Sequence, residues 1–306
     1  MKKRKIFGFF LLCLMVALAI GREFHCAPKI SKTLKTLAQD ERESLEWFFQ
    51  DLNFSGAAYV LFGNKPMSIC LFIEHKLSQK DPLGTVIDLS SRLCLPNVRI
   101  NKGLEVWKKY NHLFTSSKFL LLENRKQDLI TIVTIHKQNF LKKVEENIDL
   151  FKAVLGAHMT PAMLLKQCLS SDNIIENVLK NNDALLGTLL GYGRHNAELF
   201  SRRGEIEEGK EFRKIPLTNK SLTPSDGFST VEEEYHSIKG VLRGVNQFYG
   251  CDWNPLCLPL PGFIVDPNHP ETQQLKNEYK KQYKKIINFY RKKDFLEVTL
   301  KQFCGC

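Results

Sequence analysis

From Leu129 to Ile135 the chain reads LITIVTI, and on an extended strand Leu129, Val133 and Ile135 point to one side while Ile130 and Ile132 point to the other. A strand that is apolar on both faces needs cover on both, so it belongs in the middle of a sheet. Its nearest partner is Phe119 to Leu122, joined to it through a polar five-residue turn, Asn124 to Asp128. Upstream, Leu34, Leu37, Leu45, Phe48, Phe49 and Leu52 recur at spacings that predict one amphipathic helix from Ser31, its cap, to Leu52, with Glu41 as a polar residue on the apolar stripe. Gly56 ends that helix. Ala57 to Phe62 then reads as a strand, forming a hairpin with a second strand at Ser68 to Glu74 across Gly63, Asn64, Lys65 and Pro66. The stretch from Leu77 to Ile100 mixes turn residues with short apolar runs and carries no assignment.

Beyond Leu104 to Phe114, which has a helical pattern, and the strand pair, helices dominate. Phe140, Val144, Ile148, Phe151 and Leu155 share one stripe, and Thr160 with Pro161 is an N-cap followed by a first-turn proline. A short helix near Ile174 to Leu179 precedes a longer one that starts at Asp183 and carries Leu186, Leu189, Leu190, Ala197 and Phe200. Gly187, Gly191 and Gly193 interrupt it, each costing up to about 1 kcal/mol against alanine in a helix interior. Either another backbone approaches there, or the helix breaks and opens a groove for a ligand. Val231 to Val245 and Glu271 to Lys292 read as helices, and Phe295 to Phe303 as a last short one. The fold class is therefore α+β: a small antiparallel sheet within residues 57 to 135, packed against a larger set of α-helices. The expected divisions are an α+β body over 31–203, a surface loop or linker over 204–230, and a helical C-terminal part over 231–306 with a Pro-rich loop at 251–270.

The first 21 residues stand apart. Lys2, Lys3, Arg4 and Lys5 precede fifteen uncharged residues, Ile6 to Ile20, followed by Gly21. A basic start, an apolar run and small residues at Ala17, Ala19 and Gly21 are the parts of a secretory signal. Fifteen residues are fewer than the roughly 20 that a spanning helix needs. The leader is thus expected to be cleaved after Ala19 or Gly21, retained as an N-terminal anchor through residues 6–20, or replaced by lipid at Cys26. The expected location is the periplasm or cell envelope, or the inner membrane by way of that anchor. Removing 21 of 306 residues leaves roughly 285, near the size at which single cores begin to divide.

The net charge of +11 is unevenly placed. Lys2 to Lys5 supply four, and Leu275 to Lys301 supplies six more, with nine Lys or Arg against three Asp or Glu, so the rest of the chain carries one. No general nucleic-acid surface follows. What remains is one basic helix near the C-terminus, a site for an anionic lipid surface or a protein partner if it is not simply a solvated face. Of nine cysteines, Cys13 lies in the leader. Cys70 and Cys168 sit in apolar stretches and read as buried thiols. Cys251, Cys257, Cys304 and Cys306 are the disulfide candidates for an exported chain. Cys304 and Cys306 are too close in sequence to bridge easily to each other.

No GxSxG elbow, HExxH zinc helix, GxxxxGK[ST] loop or GxGxxG turn is present, so four large enzyme classes lose their usual signature. Cys251, Cys257 and His269 have the donors for zinc but not the usual spacing, and no metal or cofactor is expected. Gly191, Tyr192, Gly193, Arg194, His195 and Asn196 are the candidate ligand-binding residues, and with Arg202 and Arg203 the cations among them could gather around an anionic group. No catalytic residue can be assigned.

Four stretches, GAAYVLFGNKP at Gly56 to Pro66, TPAMLL at Thr160 to Leu165, LLGTLLGYGRHNAELFSRR at Leu185 to Arg203 and LPGFIVDPNHPETQQLKNEY at Leu260 to Tyr279, resemble an uncharacterised paralogous family of exported proteins from chlamydia-type intracellular bacteria. The resemblance implies a bacterial envelope or secreted location and no established activity. The function expected from export without active-site patterns is a non-catalytic binding or interaction module. The rival expectation is a periplasmic hydrolase or transferase whose cleft surrounds Gly191 to His195, with a carboxylate or thiol close to His195.

Overall fold

The computed structural model describes residues 28–73, 100–209, 223–241, 243–244, 258–291 and 293–306. The leader, Cys26, Cys94, Cys251 and Cys257, and most of the unassigned stretch after Leu77 lie outside them. The fold is α+β, a three-stranded antiparallel sheet with helices dominating.

The described residues begin with helix α1 over 28–36, followed by α2 (Gln39–Phe54) and α3 (Ala57–Leu61). The expected single helix from Ser31 breaks at residues 37–38. Ser31 lies inside α1 rather than capping it, and its hydroxyl donates to the Glu297 carboxylate. Glu41, the polar residue on the stripe, closes the break: its carboxylate accepts from the Ala38 N–H, from Lys109 Nζ at 2.7 Å and from the Tyr110 hydroxyl at 2.9 Å.

Ala57 to Leu61 is a helix, correcting the strand expected over Ala57 to Phe62. All five residues of α3 are buried, and a short run that is apolar all round does not distinguish a buried strand from a buried helix by its period. Gly56 leads into it at φ +97°, and the turn after it returns the chain so that the Lys65 N–H donates to the Tyr59 carbonyl at 3.2 Å. The next strand, β1 (Met67–Ile73), pairs with β3 instead.

After helix α4 (100–110) and a 3-10 turn (Asn111–Leu113), strands β2 (Phe119–Lys126) and β3 (Leu129–His136) form a hairpin. The turn between them is Gln127–Asp128, tighter than the five residues expected, with Gln127 at φ +55°. Asn124 remains in β2 because its buried amide has work elsewhere: it donates to the Ser171 carbonyl and accepts from the Ile174 N–H. The strand order β1-β3-β2 puts β3 in the centre, as its two apolar faces require.

Those faces separate two cores. Ile130 and Ile132 enter one with Phe48, Phe49, Tyr59 and Trp107, while Val133 and Ile135 enter the other with Phe140, Phe151 and Leu164. The second core is roofed by α5 (Lys137–Glu146), α6 (Ile148–Leu155), α7 (Pro161–Ser170), a π-helical turn (Ile174–Val178) and α8 (Asp183–Leu189). The expected helix from Phe140 to Leu155 is divided at Asn147, although its stripe stays in register. Thr160 caps α7, accepting from the Met163 N–H, with Pro161 in the first turn.

Helix α9 (Arg194–Gly209) runs six residues past Arg203, so residues 204–209 are helix and not the start of a linker. It packs with α10 (Val231–Val241) and the short ribbon of β4 (Arg243–Gly244) and β5 (Ile264–Val265) around Ile206 and Ile238. Helices α11 (Pro270–Tyr290) and α12 (Phe295–Cys304) return to the first core. Tyr279, Ile286, Tyr290, Leu296, Leu300 and Phe303 are buried there with residues of α2 and α3, so the C-terminal part is not a separate unit.

Cys70 and Cys168 are buried free thiols, both pushed up to about 12 by burial. Cys304 is also a free thiol, correcting its place among the disulfide candidates. It sits half-buried against the first core, and burial pushes it up to about 11. Cys306, beyond the left-handed Gly305 that ends α12, is disulfide-bonded.

Candidate binding site at the glycine turn

Two of the three glycines end one helix and start the next. Helix α8 stops at Leu189, Gly191 and Gly193 take φ +75° and +87°, and α9 starts at Arg194. Left-handed backbone costs glycine little, which is why the break falls here. Gly187 serves the other purpose: a Cβ there would lie 2.8 Å from the Ala197 Cβ, so its absence lets α8 and α9 close on each other. Both readings of the glycines hold at once, the break at Gly191 and Gly193 and the close approach at Gly187.

The turn is held down by α11. Tyr279, buried, donates its hydroxyl to the Gly191 carbonyl at 2.8 Å, and any Cβ on Gly191 would come within 2.6 Å of that hydroxyl. The Glu271 carboxylate accepts from the N–H groups of Arg194 and His195, both at 3.0 Å, and so caps the positive end of α9. Gly193 leaves room for that carboxylate, whose carbon would be 2.7 Å from an added Cβ.

Asn196 locks the remaining side. At 1% exposure, its amide donates to the Tyr192 carbonyl and to Thr272 Oγ1, both at 2.9 Å, and its Oδ1 accepts from the Asp266 N–H at 2.9 Å. One asparagine thus ties the glycine turn to α11 and to the loop before it.

The expected site residues are adjacent in sequence but face three directions. Gly191 and Gly193 line a cleft of about 320 Å³ bounded by Asn64, Lys65 and Pro66, by Asn139, Lys142, Lys143 and Glu146 of α5, and by α11. Tyr192 and Asn196 line a separate apolar groove of about 250 Å³, where Tyr192 stacks on Phe263 at 4.5 Å. Arg194 points elsewhere, bonded to Asp149 at 2.7 Å and Glu198 at 2.8 Å. The cations do not gather around an anion site. Arg202 is taken by the buried Glu234, and Arg203 pairs with Glu207 at 3.2 Å.

His195 lines neither the cleft nor the groove. Its Nε2 lies 3.3 Å from Asp266 Oδ2 and its ring stacks on His269 at 3.7 Å. Asp266 supplies a carboxylate close to His195, one of the two features the hydrolase expectation asks for, the other being a concave pocket that holds the imidazole. The concave pocket around His195 is not among the clefts described, and among the described residues no serine or thiol is hydrogen-bonded to it. No group of three or more metal-ligating side chains occurs among the described residues.

Sequence reasoning missed Lys65, the most unusual polar side chain of the cleft. It is 3% exposed, and burial lowers its amine from an ordinary 10.5 to about 8. The tetrapeptide Gly63 to Pro66 read as a plain turn. A lysine in a turn is normally solvated, and only the approach of α11 and the glycine turn, far away in sequence, buries this one. Comparison with family models, with curated proteins and with solved structures finds no match to this chain.

Proposed function

We propose that the protein is an exported or membrane-anchored bacterial envelope protein that works as a non-catalytic binding module, its ligand seated in the cleft between the glycine turn, α5 and α11. The leader pattern of Lys2 to Ile20 supports export, and among the described residues no helix is long and apolar enough to cross a membrane. The observation that carries the binding reading is the composition of the cleft wall. Amide, lysine and carboxylate side chains line it, and its carboxylates are each occupied in holding structure. Glu271 caps α9, Glu146 pairs with Lys142 and Lys143, and Glu278 accepts from Asn64 and Gln274. With these ties the described carboxylates of the cleft act as structural partners of its wall, which is the ground for reading it as a binding site and not a proton-transfer site.

The binding reading is tested with the full-length chain and its Gln274→Trp variant, which fills the cleft mouth. Native mass spectrometry of small molecules retained from an envelope extract should give a ligand on the wild type that the variant loses. Turnover of an envelope polymer or an ester at ordinary enzymatic rates overturns it.

The second reading, a hydrolase or transferase, is favoured by the His195 and Asp266 pair. A carboxylate that orients an imidazole is two-thirds of a nucleophile-activating triad. It requires that His195→Ala abolish a turnover measurable in the wild type. The exposed lysines of α11, Lys280, Lys281, Lys284 and Lys285, support an accessory contact with anionic lipid. Vesicle binding unchanged after neutralising all four would remove that contact.

A further inference from the structure

We propose that Lys65 is the anion anchor of this cleft, receiving a carboxylate or phosphate group of the ligand on its ammonium. The inference rests on the binding-module reading and deepens it by naming the chemistry of the ligand.

Lys65 is held rigidly. Its N–H donates to the Tyr59 carbonyl, and the carbonyl of Pro66 next to it accepts from the His136 N–H at 3.0 Å. The side chain lies between two left-handed glycines. Its Cγ would be 3.5 Å from a Cβ on Gly191, and its Nζ 3.0 Å from a Cβ on Gly56. A Cβ at Gly56 would crowd the ammonium, while the lysine stem passes Gly191 at ordinary van der Waals distance. The Tyr192 ring lies beside the amine, its centroid 5.4 Å from Nζ, an arrangement that favours a cation.

No oxygen among the described residues hydrogen-bonds that amine. The rim lysines differ: Lys143 lies 2.8 Å and Lys142 3.7 Å from Glu146. The nearby carboxylates are committed to the α9 terminus, to Lys142 and Lys143, and to side-chain amides, so none is free to neutralise Lys65. A buried ammonium without an acceptor is costly unless a counter-charge arrives. The lowered proton affinity of Lys65 agrees with this, burial being its cause. An anionic group entering the cleft would supply the missing acceptor and restore that affinity. Binding near pH 8 should therefore draw in a fraction of a proton, about one half if the free amine titrates there.

The experiment uses the full-length chain and two probes, inorganic phosphate and acetate, titrated separately by calorimetry near pH 8 in buffers of different ionisation enthalpy. One probe is expected to bind with proton uptake, and which one does so identifies the source of the anion. Lys65→Met, of similar length without the charge, should weaken binding at least about tenfold and abolish the uptake. Lys166→Met, an exposed lysine of α7 that does not line the cleft, should change affinity by less than about threefold. In the absence of probe, Lys65→Met should melt above the wild type, because an uncompensated charge has been removed. The proposal is overturned if neither probe binds, if Lys65→Met keeps wild-type affinity, if no proton is taken up, or if that variant melts lower than the wild type. Loss of binding in Gln274→Trp but not in Lys65→Met removes Lys65 alone. Binding that survives both substitutions removes the cleft itself.

Discussion

Asp51 and Asn196 are both buried polar side chains, and their surroundings give them opposite consequences. Burial pushes the Asp51 carboxyl from an ordinary 3.8 up to about 7, with no partner among the described residues to offset it. Because its folded value is raised, the folded state binds the proton more tightly, and stability falls as pH rises from about 4 through 7. Asp51→Asn is expected to stabilise the protein at pH 8, by about 4 kcal/mol more than at pH 4, as read by urea unfolding at the two pH values. Equal effects at both would contradict the burial of the carboxyl. Asn196 is satisfied on every side, so Asn196→Ala leaves the Tyr192 carbonyl, the Asp266 N–H and the Thr272 hydroxyl without it, at a cost of about 2 to 4 kcal/mol in the same assay. The caps of local origin were legible in advance, as Thr160 with Pro161 demonstrates, since their partners lie three residues away. The role of Asn196 was not, because its partners at Asp266 and Thr272 are some seventy residues distant.

At the scale of elements, stripes were legible and their interruptions were not. The helical period of Phe140, Val144 and Phe151 is real, yet Asn147 divides the helix by turning its own amide back to the Lys143 carbonyl. The run from Ala57 to Phe62 had no polar face to give its period away, so only packing could decide it. The attachment of α10 to α9 rests on charge as well as on the small apolar contact of Ile206 with Ile238. Glu234, 2% exposed, accepts from Arg202 at 2.7 Å and from Ser225. These bonds, the Arg202 guanidinium first, hold its carboxyl near 2 against an ordinary 4.5. A lowered carboxyl contributes its full stabilisation above about 4.5 and loses it as pH falls toward 2. Hydrogen-exchange protection of residues 231–241 should therefore fall between pH 6 and pH 3 while β3 stays protected. Glu234→Gln should give the same local loss at pH 6, worth on the order of 2 to 3 kcal/mol after allowing for the partial exposure of Arg202. Protection that does not change with either would leave the apolar contact as the whole attachment.

The molecule as a whole is organised by β3, which belongs to both cores at once. Ile130 and Ile132 pack on one side, Val133 and Ile135 on the other, so neither core can dissolve without exposing a face of the same strand. The C-terminus takes part in this. Phe303 of α12, 5% exposed, packs edge-on to Trp107 at 5.6 Å and stacks on Phe119 of β2 at 6.2 Å, joining the last helix to α4 and to the sheet. Removing that ring should cost about 3 to 5 kcal/mol, since a phenylalanine this enclosed leaves a cavity its neighbours fill only in part. If β3 couples the two cores, Phe303→Ala lowers one shared transition. Fluorescence of a chain that keeps Trp107 as its single tryptophan (Trp47→Phe, Trp253→Phe), which reports the first core, and hydrogen exchange at Val144 and Phe151 in the second should then shift together to lower urea. An exchange profile in the second core that keeps its wild-type midpoint while the fluorescence moves would mean that the sheet divides the molecule into two units, and the C-terminal helices would then stabilise only the half they touch.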